Sequence, residues 1–241
     1  MIRSSARHVA VVGALASALT FAAVGSAAAL NGAPKLGGAQ CKGADAKSVV
    51  HAAAVKREGT LAALVARLQA RRDPFAMNGP QITTLQQASS AIVALDAKIQ
   101  ATCYSTRTAF RADAVTLWTS YRVYWLRVPQ SHAIEAADRF AEARSRLDTA
   151  AQRLAGLVGT NSHAKSDLDA MNTVLAGVDA KLGVAPTPGA SIAAVRDLQP
   201  AVDMTADTAA LETAHADLLS IYQQLQTARA EGMKVVSELQ G

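Results

Sequence analysis

The sequence is poor in most of what marks a known chemistry. Aromatics make up 4% of its 241 residues, and cysteine occurs only twice. With neither C-x-x-C nor C-x-x-C-H spacing, the two cysteines give no redox motif and no c-type haem attachment. There is no phosphate-cradling loop, no G-x-G-x-x-G and no G-x-S-x-G. A di-iron helical bundle needs Glu-x-x-His on two helices. Only Glu212 to His215 has that spacing, and Leu211 and Ala214 on the apolar seam turn the pair toward the rim. The histidines past the first thirty residues (His51, His132, His163, His215) include no i,i+4 pair, so zinc has no support either. Ser162 to Lys165 matches Ser-x-x-Lys, but the companion elements of penicillin-recognising enzymes are missing and Ser162 reads as a helix N-cap. No cofactor is expected, and no pattern favours an enzyme.

A strong charge of one sign is also lacking. The formal net charge is +5, spread along the chain rather than gathered in a stripe with aromatics to stack on bases. Nucleic acid is therefore not an expected partner. The densest basic stretch, with Arg67, Arg71 and Arg72, falls at an expected helix end, where cations suit the macrodipole.

What is present begins with an export signal. Arg3 and Arg7 precede an apolar run of 16 residues, Val9 to Val24, and small residues follow with cleavage expected after Ala29. The run is broken by Gly13, Ser17 and Thr20 and is short for a bilayer span. Cleavage would lower the net charge to +3 by removing two arginines. It would leave no further stretch able to span a membrane. Residues 30–43 are Gly-rich and expected to be irregular, and residues 44–241 form a single helical-bundle domain. In an exported chain the two cysteines most simply pair, Cys41 with Cys103.

Apolar residues then recur at helical spacing, without a β-branched alternation. A first helix runs from Ala44 to the turn at Asp73-Pro74. A second, very long one is expected from Gln81 through Cys103, on its buried seam, to Val128. Pro129 is expected to kink rather than end it, with a helical face continuing to Leu157. Glu135–Arg139 and Glu142–Arg146 read as i,i+4 pairs on the wet side. Shorter helices follow at Leu168–Leu182 and Ile192–Leu198. The last helix carries the cleanest seam, Leu211 to Leu239. The expected fold is all-α, an elongated antiparallel bundle with coiled-coil-like seams. Pro200 is expected to lay the last helix antiparallel to the kinked one. Ile221, Leu225, Ala228 and Val235 would then lie beside Val128, Tyr124, Tyr121 and Leu117, with Ala228 and Gly232 making room for the rings.

The few aromatics crowd into one region, Trp118, Tyr121, Tyr124, Trp125 and Phe140. As core, Tyr121 and Tyr124 should be buried against the last helix, with Trp125 the least buried of the cluster. As a site, Trp118, Tyr121, Tyr124, Trp125 and His132 would form a ligand or partner surface. The stretch Ser120-Tyr121-Arg122-Val123-Tyr124, with Val128-Pro129, His132 and Ala136 to Arg139, resembles a recurring stretch of exported, helix-rich proteins of actinobacterial type. The resemblance implies export and helical architecture and carries over no catalytic residue. The leading expectation is a non-catalytic exported scaffold or interaction protein with a cell-envelope or extracellular partner. A binder of a small apolar or aromatic ligand near Trp118–Phe140 is the alternative, and an enzyme the third.

Overall fold

In a computed structural model, residues 44–200 and 204–240 are described. The signal segment, the cleavage site, the 30–43 segment and Cys41 lie outside them. The described chain is all-α: α1 (Ala44–Gln69), α2 (Asn78–Ala101), α3 (Arg107–Thr119), a π-helical turn (Val123–Arg127), α4 (Val128–Ala155), α5 (Ser162–Leu182), α6 (Ala190–Arg196) and α7 (Thr205–Gln240). Two two-residue strands, Gly183–Val184 and Thr187–Pro188, pair antiparallel between α5 and α6. No described helix is long and apolar enough to cross a membrane.

The long second helix is not continuous. It stops at Ala101 and restarts at Arg107. Thr102, Cys103, Tyr104, Ser105 and Thr106 are all mediocre helix formers, and together they outweigh the apolar periodicity running through them. Thr102 is extended, and the Thr106 side chain accepts from the Ala109 N–H as the N-cap of α3. Cys103 therefore sits exposed in a loop rather than on a buried seam. It is not a free thiol.

Pairwise contacts set the directions of the helices. α1 and α2 run antiparallel, with Lys47 donating to the Gln100 and Thr102 carbonyls at the end of α2, and His51 meeting Asp96. Going back along α2, Lys98 meets Asp113, the Ala91 carbonyl meets Tyr121, and Gln81 meets Gln130 and Ser131. α3, the π-turn and the start of α4 thus retrace α2 in reverse. The other end of the molecule is built on α5 and α7. Asn161 donates to the Glu238 carbonyl while Lys181 pairs with Asp217, so these helices are antiparallel.

This corrects the expected place of the last helix. α7 runs parallel to α4: Asp207 acts on Arg127 near the start of both, and Tyr222 lies against Phe140 further along both. α5 already makes the return journey from α4, so α7, reversing again, points the same way as α4. Tyr121 and Tyr124 meet α2 and α1 rather than α7. Gly232 makes room for Met171 of α5, whose sulfur would lie 3.1 Å from an added Cβ.

The first half of α4 is sheathed on most sides. Ala133, Ile134, Ala137 and Phe140 are buried, and so are Arg127, Gln130, Ser131, Glu135 and Asp138. Of the two pairs expected on the wet side, Glu142–Arg146 forms at 3.6 Å with Arg146 exposed, whereas Glu135 is a buried acid held by Arg139 at 2.9 Å and Arg71 at 3.5 Å.

Candidate functional site

Four of the five expected site residues, Trp118, Tyr121, Tyr124 and Trp125, lie at the join between α3 and α4. Helix α3 ends in Thr116 and Thr119, whose hydroxyls donate back to the carbonyls of Ala112 and Val115. Arg122 then adopts the left-handed conformation at φ 41°, ψ 43°, which costs a residue with a Cβ about 1–2 kcal/mol. The chain re-enters a helix through i→i+5 bonds, from the Arg127 N–H to the Arg122 carbonyl and from the Val128 N–H to the Val123 carbonyl. Pro129 is the second residue of α4. It brings no N–H, and the wider π-turn sits directly before it.

This junction resets the helical phase. Val123, Leu126 and Arg127 turn inward, while Tyr124 and Trp125 turn out at 39% and 51% exposed. The expected burial of Tyr124 is therefore wrong, and its cause is the extra residue in the turn. Trp125 is more exposed than Trp118, Tyr121, Tyr124 or Phe140, as expected. Tyr121 is half-buried and donates to the Ala91 carbonyl at 3.2 Å, and burial pushes its hydroxyl pKa up.

Behind the exposed rings lies Arg57 of α1, itself buried. Its guanidinium is 5.1 Å from the Trp118 ring centroid and 5.2 Å from that of Tyr124, and it donates to the Ala53 carbonyl. A desolvated cation between two aromatic faces orients both rings, each contact contributing about 1–2 kcal/mol. The Tyr124 hydroxyl lies 3.4 Å from that of Thr60. Trp118 and Tyr124 are thus brought together with Arg57, and the exposed Trp125 follows Tyr124 on the turn. His132 is two turns further along, half-buried, 3.4 Å from an Arg67 nitrogen. Burial and then Arg67 lower its pKa. It belongs to the α1–α4 seam rather than to the aromatic ledge.

A second polar constellation was not legible in the sequence. Gln130, fully buried, donates to the carbonyls of Val195, Arg196 and Leu198, and Arg127 donates to Gln130, Leu198 and Gln199. Gln81 donates to Gln130 and Ser131. These side chains satisfy carbonyls at and beyond the C-terminus of α6 and tie it to α4 and α2. Arg127, Ser131 and Asp138 share helical spacing, but that period also describes a solvated face.

Two clefts lie elsewhere. One, of about 530 Å³, runs between Arg72–Phe75, Ala141–Arg146 and Asp179–Ala185, and the other lies along Met204–Glu212. Neither is lined by Tyr124 or Trp125. No cluster of three metal-ligating side chains occurs among the described residues. No family model, curated protein or solved structure matches this chain.

Proposed function

We propose that the protein is a non-catalytic, exported helical scaffold that docks a cell-envelope or extracellular protein through the ledge of Trp118, Tyr124 and Trp125. The observation that carries this reading is the presence of two large exposed aromatics on a π-turn entered through a left-handed arginine. Backbone strain of this kind persists where the surrounding structure imposes it, and it clusters at functional positions. Exposed tryptophan and tyrosine are also the side chains that most often dominate a protein interface. Arg57 holds Trp118 and Tyr124 in place, which lowers the entropy lost on docking. Export is supported by the basic, apolar and small-residue order of the first 29 residues. The scaffold we propose is an antiparallel bundle with coiled-coil-like seams, bent where Pro129 follows the π-turn.

The test compares the exported chain with Trp125→Ala as bait for envelope fractions, followed by titration of whatever the wild type retains. Trp125→Ala should weaken binding at least tenfold while moving stability by no more than about 0.5 kcal/mol, as for a surface position. Equal retention by both proteins would refute the ledge as the docking site.

A further inference from the structure

Asp138 is 1% exposed, and neither of its carboxyl oxygens accepts a hydrogen bond. A buried ionised carboxylate ordinarily collects donors, and this one has none. Its surroundings come from three elements. Asn78, in the first turn of α2, approaches with its amide outside hydrogen-bonding geometry, and its own Oδ1 is also unpartnered. Arg71 and Asp73 approach from the α1–α2 turn, and Glu142 from one turn along α4. Arg71 is shared with Glu135, which Arg139 also holds. Asp73 is committed to the Met77 and Asn78 N–H groups at 2.7 and 2.9 Å, capping α2. The turn also contains Ala76 at φ 53°, an unfavourable conformation for a residue with a Cβ.

We propose that Asp138 is a proton-operated latch: as a neutral acid it lets the α1–α2 turn, residues 70–77, close on α4, and on losing its proton it drives that turn away. An ionised Asp138 would place an unsolvated charge against Asp73 and Glu142 with only a shared arginine to answer it. The turn contributes Arg72, Asp73, Pro74 and Phe75 to one wall of the 530 Å³ cleft, facing Glu142, Arg144 and Asp179. Release of the turn therefore opens that cleft.

Burial pushes the Asp138 carboxyl up to about 7, with Asp73 and Glu142 adding to the rise and Asn78 and Arg71 opposing it. With the turn open, the same carboxyl returns to its ordinary range near 4. Between those values the closed form holds a proton that the open form has released. Closure therefore weakens as pH rises, by about tenfold per unit, and levels off above 7. His132 works in the opposite sense on the same seam. Its pKa is lowered, so its contribution is complete above its ordinary 6.5 and is lost as pH falls through the lowered value. The two contributions oppose each other where their pH ranges overlap.

The test is amide hydrogen exchange of residues 70–78 in the whole chain from pH 5 to 8, corrected for the intrinsic rate. The opening of the wild type relative to Asp138→Asn, in which the His132 contribution is common to both, should rise about tenfold per unit up to pH 7. The same pH dependence of opening in both proteins would overturn the latch. If Asp138→Asn does not fold, a carbon-13 titration of the wild-type Asp138 carboxyl decides: a midpoint near 7 supports the proposal, and one near 4 refutes it.

Discussion

At the scale of single residues, one large stability effect belongs to a buried polar group. Gln130 is surrounded by protein, and its amide serves three carbonyls while its oxygen accepts from Arg127 and Gln81. Gln130→Ala would leave those carbonyls and part of a buried guanidinium without partners. The expected loss is about 3 kcal/mol, read from denaturant unfolding. Tyr124→Ala, by contrast, should cost only about 1 kcal/mol, because the ring is half in water and its main buried contact is Arg57. The apolar residues of α4 could be read from the sequence, since Ile134, Ala137 and Phe140 recur at helical spacing. Gln130 and Asp138 could not. A buried amide and a surface amide look alike until the covering helix is known, and that cover comes from α2 and α6, about 50 and 65 residues away in the chain.

At the scale of elements, periodicity located the helices and local chemistry ended them. α1, α5, α6 and α7 fall where apolar spacing and the Gly/Pro breaks place them. Two interruptions break the apolar periodicity of the expected long helix. The Thr102–Thr106 gap was legible in principle, because five residues of modest helix propensity end in a threonine three positions before the Ala109 N–H it caps. The π-turn was not legible, since neither a left-handed arginine nor an i→i+5 register has a compositional signature. The cap of α5 moves by one residue: Asn161, rather than Ser162, accepts from the His163 and Ala164 N–H groups. The link from α5 to α6 is the most crowded element. A Cβ on Gly189 would overlap the Lys181 carbonyl, and one on Gly183 would overlap Thr187 and Gly189. Gly183 also has φ 90°. Gly189→Ala is therefore expected to displace this hairpin and lower the thermal midpoint by several degrees, whereas Gly59→Ala, with open space around it, should raise stability by up to about 1 kcal/mol.

At the scale of the whole chain, the direction of α7, parallel to α4, is the departure from expectation with the widest reach. Apolar seams record that two helices pack, but a heptad-like spacing fits a parallel and an antiparallel neighbour equally well. The count of reversals decides, and α5 supplies the one assigned to Pro200. α4 consequently serves both ends of the fold, meeting α1 through Arg67–His132 and Arg71–Glu135 and meeting α7 through Phe140–Tyr222. The expected bridge from Cys41 to Cys103 would fasten the chain before α1 to the α2–α3 loop. Thiol titration of the denatured, unreduced chain should find none, and two reactive thiols would remove the bridge.

The π-turn also bears on how the sequence can vary. Each residue of an α-helix advances the next by about 100°. One residue held as surplus in an i→i+5 ring is thus a rotational offset between everything before Val123 and everything after Arg127. Losing a single codon there would let the helix close in ordinary register, and Tyr124 and Trp125 would swing round relative to the buried face of α4. Substitutions at the exposed Tyr124 and Trp125 can be absorbed one at a time, but a change in the length of the turn cannot.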